Sequence, residues 1–106
     1  MLQQMEKIAI LASHMPLARA EAAVFIALAE RRPYFVPMEV LIDNMVSDVS
    51  ADPNGAIRSS IKRMRKVLPE GMEVECRSCI GYRLKTPEGW EVPWKGMKSY
   101  LDQAIA

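Results

Sequence analysis

The sequence predicts a mainly α-helical domain that carries one small β-hairpin, and three observations predict it. Apolar residues recur at three- and four-residue intervals in five separate stretches, the signature of amphipathic helices. Residues 72–85 instead alternate in character around a turn near Cys79–Gly81, as two short strands do. The chain has 106 residues, half hydrophobic and a quarter charged, which suits one modest core without disulfide or metal.

The elements follow in order. Residues 2–13 place Leu2, Met5, Ile8, Ala9 and Ala12 at helical spacing. A second helix opens after Pro16 and runs to Pro33; its alanines favour helix, and Leu17, Ala20, Val24, Ala27 and Leu28 supply an inward stripe. Tyr34–Val36 is a short β-rich link. Pro37 opens a third helix with Met38, Leu41, Ile42 and Met45 on its buried side. The stretch SDVSADPNG reads as a loop from its Ser, Asp, Asn, Pro and Gly content. A fourth helix spans about residues 55–68 and stops at Pro69-Glu70-Gly71; the hairpin occupies about 72–86. Residues 87–93 connect to a last helix with Trp94, Met97, Leu101 and Ile105 at helical spacing. No repeat or low-complexity tract occurs.

Charge is distributed unevenly. The formal net charge is +1, yet residues 56–85 hold eight Lys/Arg against three Glu, while the remainder is net acidic. On the fourth helix, Ile57, Ile61, Met64 and Leu68 share one narrow sector. The opposite sector holds Ser59, Lys62, Arg63 and Lys66, with Arg58 and Arg65 on one shoulder and Ser60 on the other. Residues 56–69 contain no acid, so intrahelical ion pairs do not explain these cations. Such a face suits the DNA major groove, where Lys and Arg neutralise phosphates or bind guanine edges. A basic hairpin with Arg77, Arg83 and Lys85 follows after a short turn, making a recognition helix and a wing.

Other chemistries fit poorly. Cys76 and Cys79 form a CxxC, but structural zinc takes four ligands and only His14 remains, far away in sequence. A redox CxxC needs a helix N-terminus, whereas these cysteines precede a strand; they read as small fillers of the hairpin. No Gly-rich phosphate loop or nucleophile–base pair appears, so neither an enzyme nor a bound cofactor or metal is expected. His14 reads as a helix-end residue, and the eight methionines read as packing. No apolar run is long enough to cross a bilayer and no signal peptide pattern is visible, so a cytoplasmic protein is expected.

The run IRSSIKRMRKVLPEGMEVECRSCIGYRL resembles the effector domain of OmpR/PhoB-type response regulators. Ile61, Arg63, Met64, Arg65, Lys66 and Leu68 fit the family's helix pattern, and Gly81-Tyr82-Arg83-Leu84 fits the end of its wing. Upstream, Leu17 and Glu21 match a helix start, and Val36–Leu41 resembles the next helix; the likeness covers about residues 16–86. It implies a winged helix-turn-helix core at 16–86, to which the residue pattern adds an N-terminal helix at 1–15, where the family has a sheet, and a connector and helix at 87–106; no receiver domain is expected. Stand-alone domains of this sort are often carried by phages and prophages. Three positions depart from the pattern: Ala18 replaces a capping Thr, and Ser78 and Cys79 replace the Arg-Gly of the wing.

The expected function is therefore transcriptional regulation through sequence-specific binding of double-stranded DNA. Arg58, Ser59, Lys62 and Arg63 are the candidates for base edges, and Arg65, Lys66, Arg77 and Arg83 the candidates for phosphates. The alternative is a winged-helix module that binds RNA polymerase or another regulator, using the SDVSADPNG loop. The apolar tail (Trp90, Trp94, Met97, Tyr100, Leu101, Ile105) either docks on the chain's own core or forms a homodimer interface.

Overall fold

The computed structural model describes residues 2–45 and 51–97. Within them lie four helices, α1 (Gln4–Ala12), α2 (Arg19–Arg31), α3 (Met38–Asp43) and α4 (Pro53–Arg65), followed by an antiparallel hairpin of β1 (Glu73–Arg77) and β2 (Gly81–Lys85). The domain is mainly helical, with one core running through all of these elements.

The core centres on α2. Every residue from Glu21 to Ala29 is buried, so this helix lacks the one-sided stripe expected from its sequence. Alanine makes the difference: its small side chain lets α1, α3, α4 and β2 all pack against one helix. Phe25 and Leu28 sit at its middle without exposure. Ala20, placed on the inward stripe by the sequence reading, is exposed.

α1 is rotated relative to expectation. Ile8, Leu11 and Met15 are buried, while Met5, Ala9 and Ala12 face outward, because burying Ile and Leu removes more apolar surface than burying alanine. Its start is held by the Gln3 backbone N–H, which donates to Glu6 Oε1 at 3.0 Å. His14 caps the far end, its Nδ1 lying 3.0 Å from the Ile10 carbonyl oxygen. An ion pair of Lys7 with Glu30 ties α1 to the end of α2.

α4 begins earlier than the loop-like composition of its first turn suggests. Asp52 accepts from the Gly55 N–H at 3.0 Å, and Pro53 supplies a preset first helical position. Residues 46–50 of the expected SDVSADPNG loop lie outside the described residues. The helix also ends earlier, at Arg65, with the Lys66 and Val67 amides donating to the carbonyls of Arg63 and Met64. Pro69 disfavours helical backbone at Leu68, so the helix does not resume after the turn at Lys66 and Val67. Ser60, expected on a solvated shoulder, is buried.

The hairpin pairs Val74 with Leu84 and Cys76 with Tyr82 on one face, and Glu75 with Arg83 on the other. Val74 and Leu84 enter the core, and Tyr82 packs on it half-buried. The link before α3 contributes a single bridge, in which Val36 and Tyr82 exchange backbone hydrogen bonds of 2.6 and 3.1 Å. Gly81 permits that approach: its φ is 144°, and a Cβ there would lie 2.1 Å from the Val36 carbonyl oxygen.

After β2 the chain has no helix or strand among the described residues, yet it is anchored. Trp94 is buried, and Trp90 meets Phe25 edge-on with ring centroids 6.1 Å apart. Arg32 holds this segment from the end of α2, stacking on Trp90 at 4.8 Å and donating to its carbonyl at 3.2 Å. Residues 93–96 form a turn, so the predicted last helix does not begin at Trp94; Tyr100, Leu101 and Ile105 lie outside the described residues. No helix of the described residues is long and apolar enough to cross a membrane.

Candidate nucleic-acid interface

α4 projects its cations because its apolar stripe (Ile57, Ile61, Met64) is committed to the core. Those cations fall into two groups. Arg63 and Arg65 lie toward the edges of the helix and are fastened to neighbours. Arg63 Nε donates to Glu21 Oε1 at 2.8 Å, and Glu21 is a buried carboxylate of α2. Arg65 Nη2 donates to the Val74 carbonyl at 2.9 Å, joining the helix to β1. Between them run Arg58, Lys62 and Lys66 at four-residue spacing, with Ser59 beside them. All four are exposed. Among the described residues, none of the three cations has an ion pair or a side-chain hydrogen bond.

The hairpin cations are also engaged. Arg77 and Arg83 stand on the strand face away from Val74 and Leu84, where both guanidinium groups lie over the Phe35 ring, at 4.8 and 4.7 Å. Glu75 lies beside them, 2.7 Å from Arg83 and 4.0 Å from Arg77. The hydrogen bond from Arg83, followed by the fields of Arg83, Lys85 and Arg77, holds the Glu75 carboxyl below its ordinary range despite some desolvation. Lys85 reaches Glu73 at 3.2 Å.

Of the eight sequence-predicted residues, the structure gathers Arg58, Ser59, Lys62 and Lys66 on one surface. Arg63 and Arg65 flank it with protein partners, and Arg77 and Arg83 are gathered separately around Phe35. Sequence reasoning missed the partners that divide them. Glu21 fits a helix-start pattern in the sequence, and an acid in an alanine-rich apolar stretch is itself a sign of a buried ion pair. Phe35 carried no signal beyond β propensity.

A groove of about 630 Å³ separates the start of α4 from the hairpin. Asn54 and Arg58 form one wall, Cys76, Cys79 and Tyr82 another, and the start of α3 closes the end. Both cysteines are free thiols and exposed, not the packed fillers expected. Cys79 has φ 65°, the one non-glycine residue with positive φ among those described. It sits in the turn closed by the Ile80 N–H donating to the Arg77 carbonyl at 3.1 Å. Burial pushes the Tyr82 phenol above its ordinary value, reinforced by the charge of Cys76 and a hydrogen bond with it, and opposed by Arg58 and Arg65. No group of three or more His, Cys, Asp or Glu able to hold a metal occurs among the described residues. Compared with protein-family models, curated proteins and solved structures, the chain matches none.

Proposed function

We propose that the chain is a winged helix-turn-helix protein of the OmpR/PhoB type that binds double-stranded DNA and regulates transcription. α4 is the recognition helix and the β1–β2 hairpin the wing. The observation that carries this reading is the row of Arg58, Lys62 and Lys66 along the outer face of α4. Three exposed cations with no acid within the helix and no described partner leave an uncompensated positive stripe. A phosphate backbone neutralises such a stripe and releases counterions as it does so.

Arg58 and Ser59 at mid-helix and Lys62 in the last turn are the base-edge readers in this reading. Arg63, with over half of its side chain exposed beyond the Glu21 contact, joins them at the margin. Lys66 lies at the helix end and takes a phosphate, which sets register without reading sequence. Arg65, Arg77 and Arg83 hold the interface in shape through Val74, Phe35 and Glu75, and contact phosphates only from their outer edges.

Random-oligonucleotide selection with the purified protein tests the reading directly. The expected result is an enriched duplex motif, bound with an affinity that falls steeply with salt. Salt-independent binding, or no enrichment from any duplex pool, defeats it in favour of a module that docks on RNA polymerase or another regulator.

A further inference from the structure

Cys76 and Cys79 are three residues apart, both exposed, and both on the wall of the groove that faces Arg58. Their backbone positions differ in kind: Cys76 lies in a regular strand, while Cys79 holds a left-handed conformation. Glycine would adopt that conformation without penalty, so a β-carbon there is costly. Cys79 is exposed, and its sulfur lies 3.8 Å from the Ser78 hydroxyl. An outlier of this kind at a groove beside a candidate binding face points to use of the thiol.

We propose that Cys76 and Cys79 form a two-thiolate site for a soft monovalent cation of the copper(I) type, and that its occupancy weakens DNA binding through Arg58. The coupling to DNA rests on the function proposed above; the site itself does not. Two thiolates suffice for a soft ion that accepts two-coordinate ligation, whereas zinc requires four ligands, which the described residues do not assemble. As each S–metal bond forms, its thiol yields a proton to solvent, and no electron changes hands. The product carries a single negative charge. Arg58 is the cation on the opposite wall of the groove, on α4. The complex therefore draws Arg58 inward, away from DNA. By linkage, bound DNA weakens the metal site by the same factor.

The test uses the whole protein, reduced and free of oxygen, titrated with silver(I) as a redox-inert probe. Native mass spectrometry follows stoichiometry, competition with a chelator gives affinity, and a mixed-sequence duplex at low salt reports DNA binding. One ion per chain should bind tightly. Cys76→Ser and Cys79→Gly should each weaken it by about 100-fold or more, since losing a direct ligand outweighs losing an outer partner. Cys79→Gly suits the turn backbone, so its loss of silver is not a folding failure. Duplex affinity should fall about tenfold at one equivalent in the wild type and stay unchanged in Cys79→Gly. Silver affinity equal to wild type in either variant overturns the shared site. Unchanged duplex affinity at full occupancy overturns the coupling. A metal-free protein that binds no duplex overturns the DNA reading and the coupling with it, while the silver titration still decides the site.

Discussion

Helices α2 and α4 are both thirteen residues long and pack directly against each other, yet the chain uses them in opposite ways. α2 buries nine consecutive residues and spends its small side chains on letting neighbours approach. α4 buries only Ile57, Ser60, Ile61 and Met64 and carries four cations on what remains, with Lys66 at its C-cap. The contrast teaches where to look for each property. Substitutions in α2 should read out as stability, those along the outer face of α4 as binding, and those at the contact between them as both.

The sharpest test of that division is Phe25→Ala, which empties a fully buried site under Trp90 and should cost about 3–5 kcal/mol of stability in a denaturant melt. Lys62→Ala on α4 should stay within about 0.5 kcal/mol of wild type in the same melt. At the junction, Arg63→Ala strands the buried Glu21 carboxylate. It should lower stability by about 1–3 kcal/mol, with Arg63→Gln no better and Glu21→Gln/Arg63→Gln recovering part of the loss. Stability unmoved by Arg63→Ala would erase the distinction drawn between the edge and middle cations of α4. On the binding side, Lys66→Ala should reduce the slope of log affinity against log salt by about one without altering sequence preference, while Arg58→Ala should change the preferred motif.

The smallest expected effect concerns acid. Glu75 is held ionised below its usual range chiefly by Arg83, so its contribution is present above the unfolded-state value and disappears as pH falls through the depressed folded value. Glu75→Gln should therefore flatten the acid side of a Tm-versus-pH curve and leave the neutral side little different in slope. An unchanged acid limb would mean that Arg83 stabilises the hairpin through Phe35 alone.

Much of the architecture was legible because periodicity and punctuation are local properties. Pro37, Pro69 and the alternation of 72–85 located α3, the end of α4 and the hairpin to within a few residues. The errors arose where a tertiary partner decided the outcome. In α1 the larger apolar surface of Ile8 and Leu11 outweighs that of Ala9 and Ala12 once α2 is there to pack against. Leu17, Val24, Ala27 and Leu28 of the stripe assigned to α2 are buried and Ala20 is not, and the residues between them are buried too because several elements pack around this helix. The basic surface was legible as a composition of residues, and five of the eight cations in 56–85 then proved to have protein partners that only the fold supplies.

The stacking of Arg32 on Trp90 has a consequence for how the molecule resists attack. Residues 86–97 contain neither helix nor strand, and such a stretch is ordinarily where a protease enters first. Here Trp90 and Trp94 are held against the core, so the backbone between them cannot extend into a protease cleft without first withdrawing an indole. Cleavage after Lys95 should then follow the opening of this end of the core and not the exposure of the lysine itself. An irregular strip of chain thereby reports on the integrity of the α2 core beneath it.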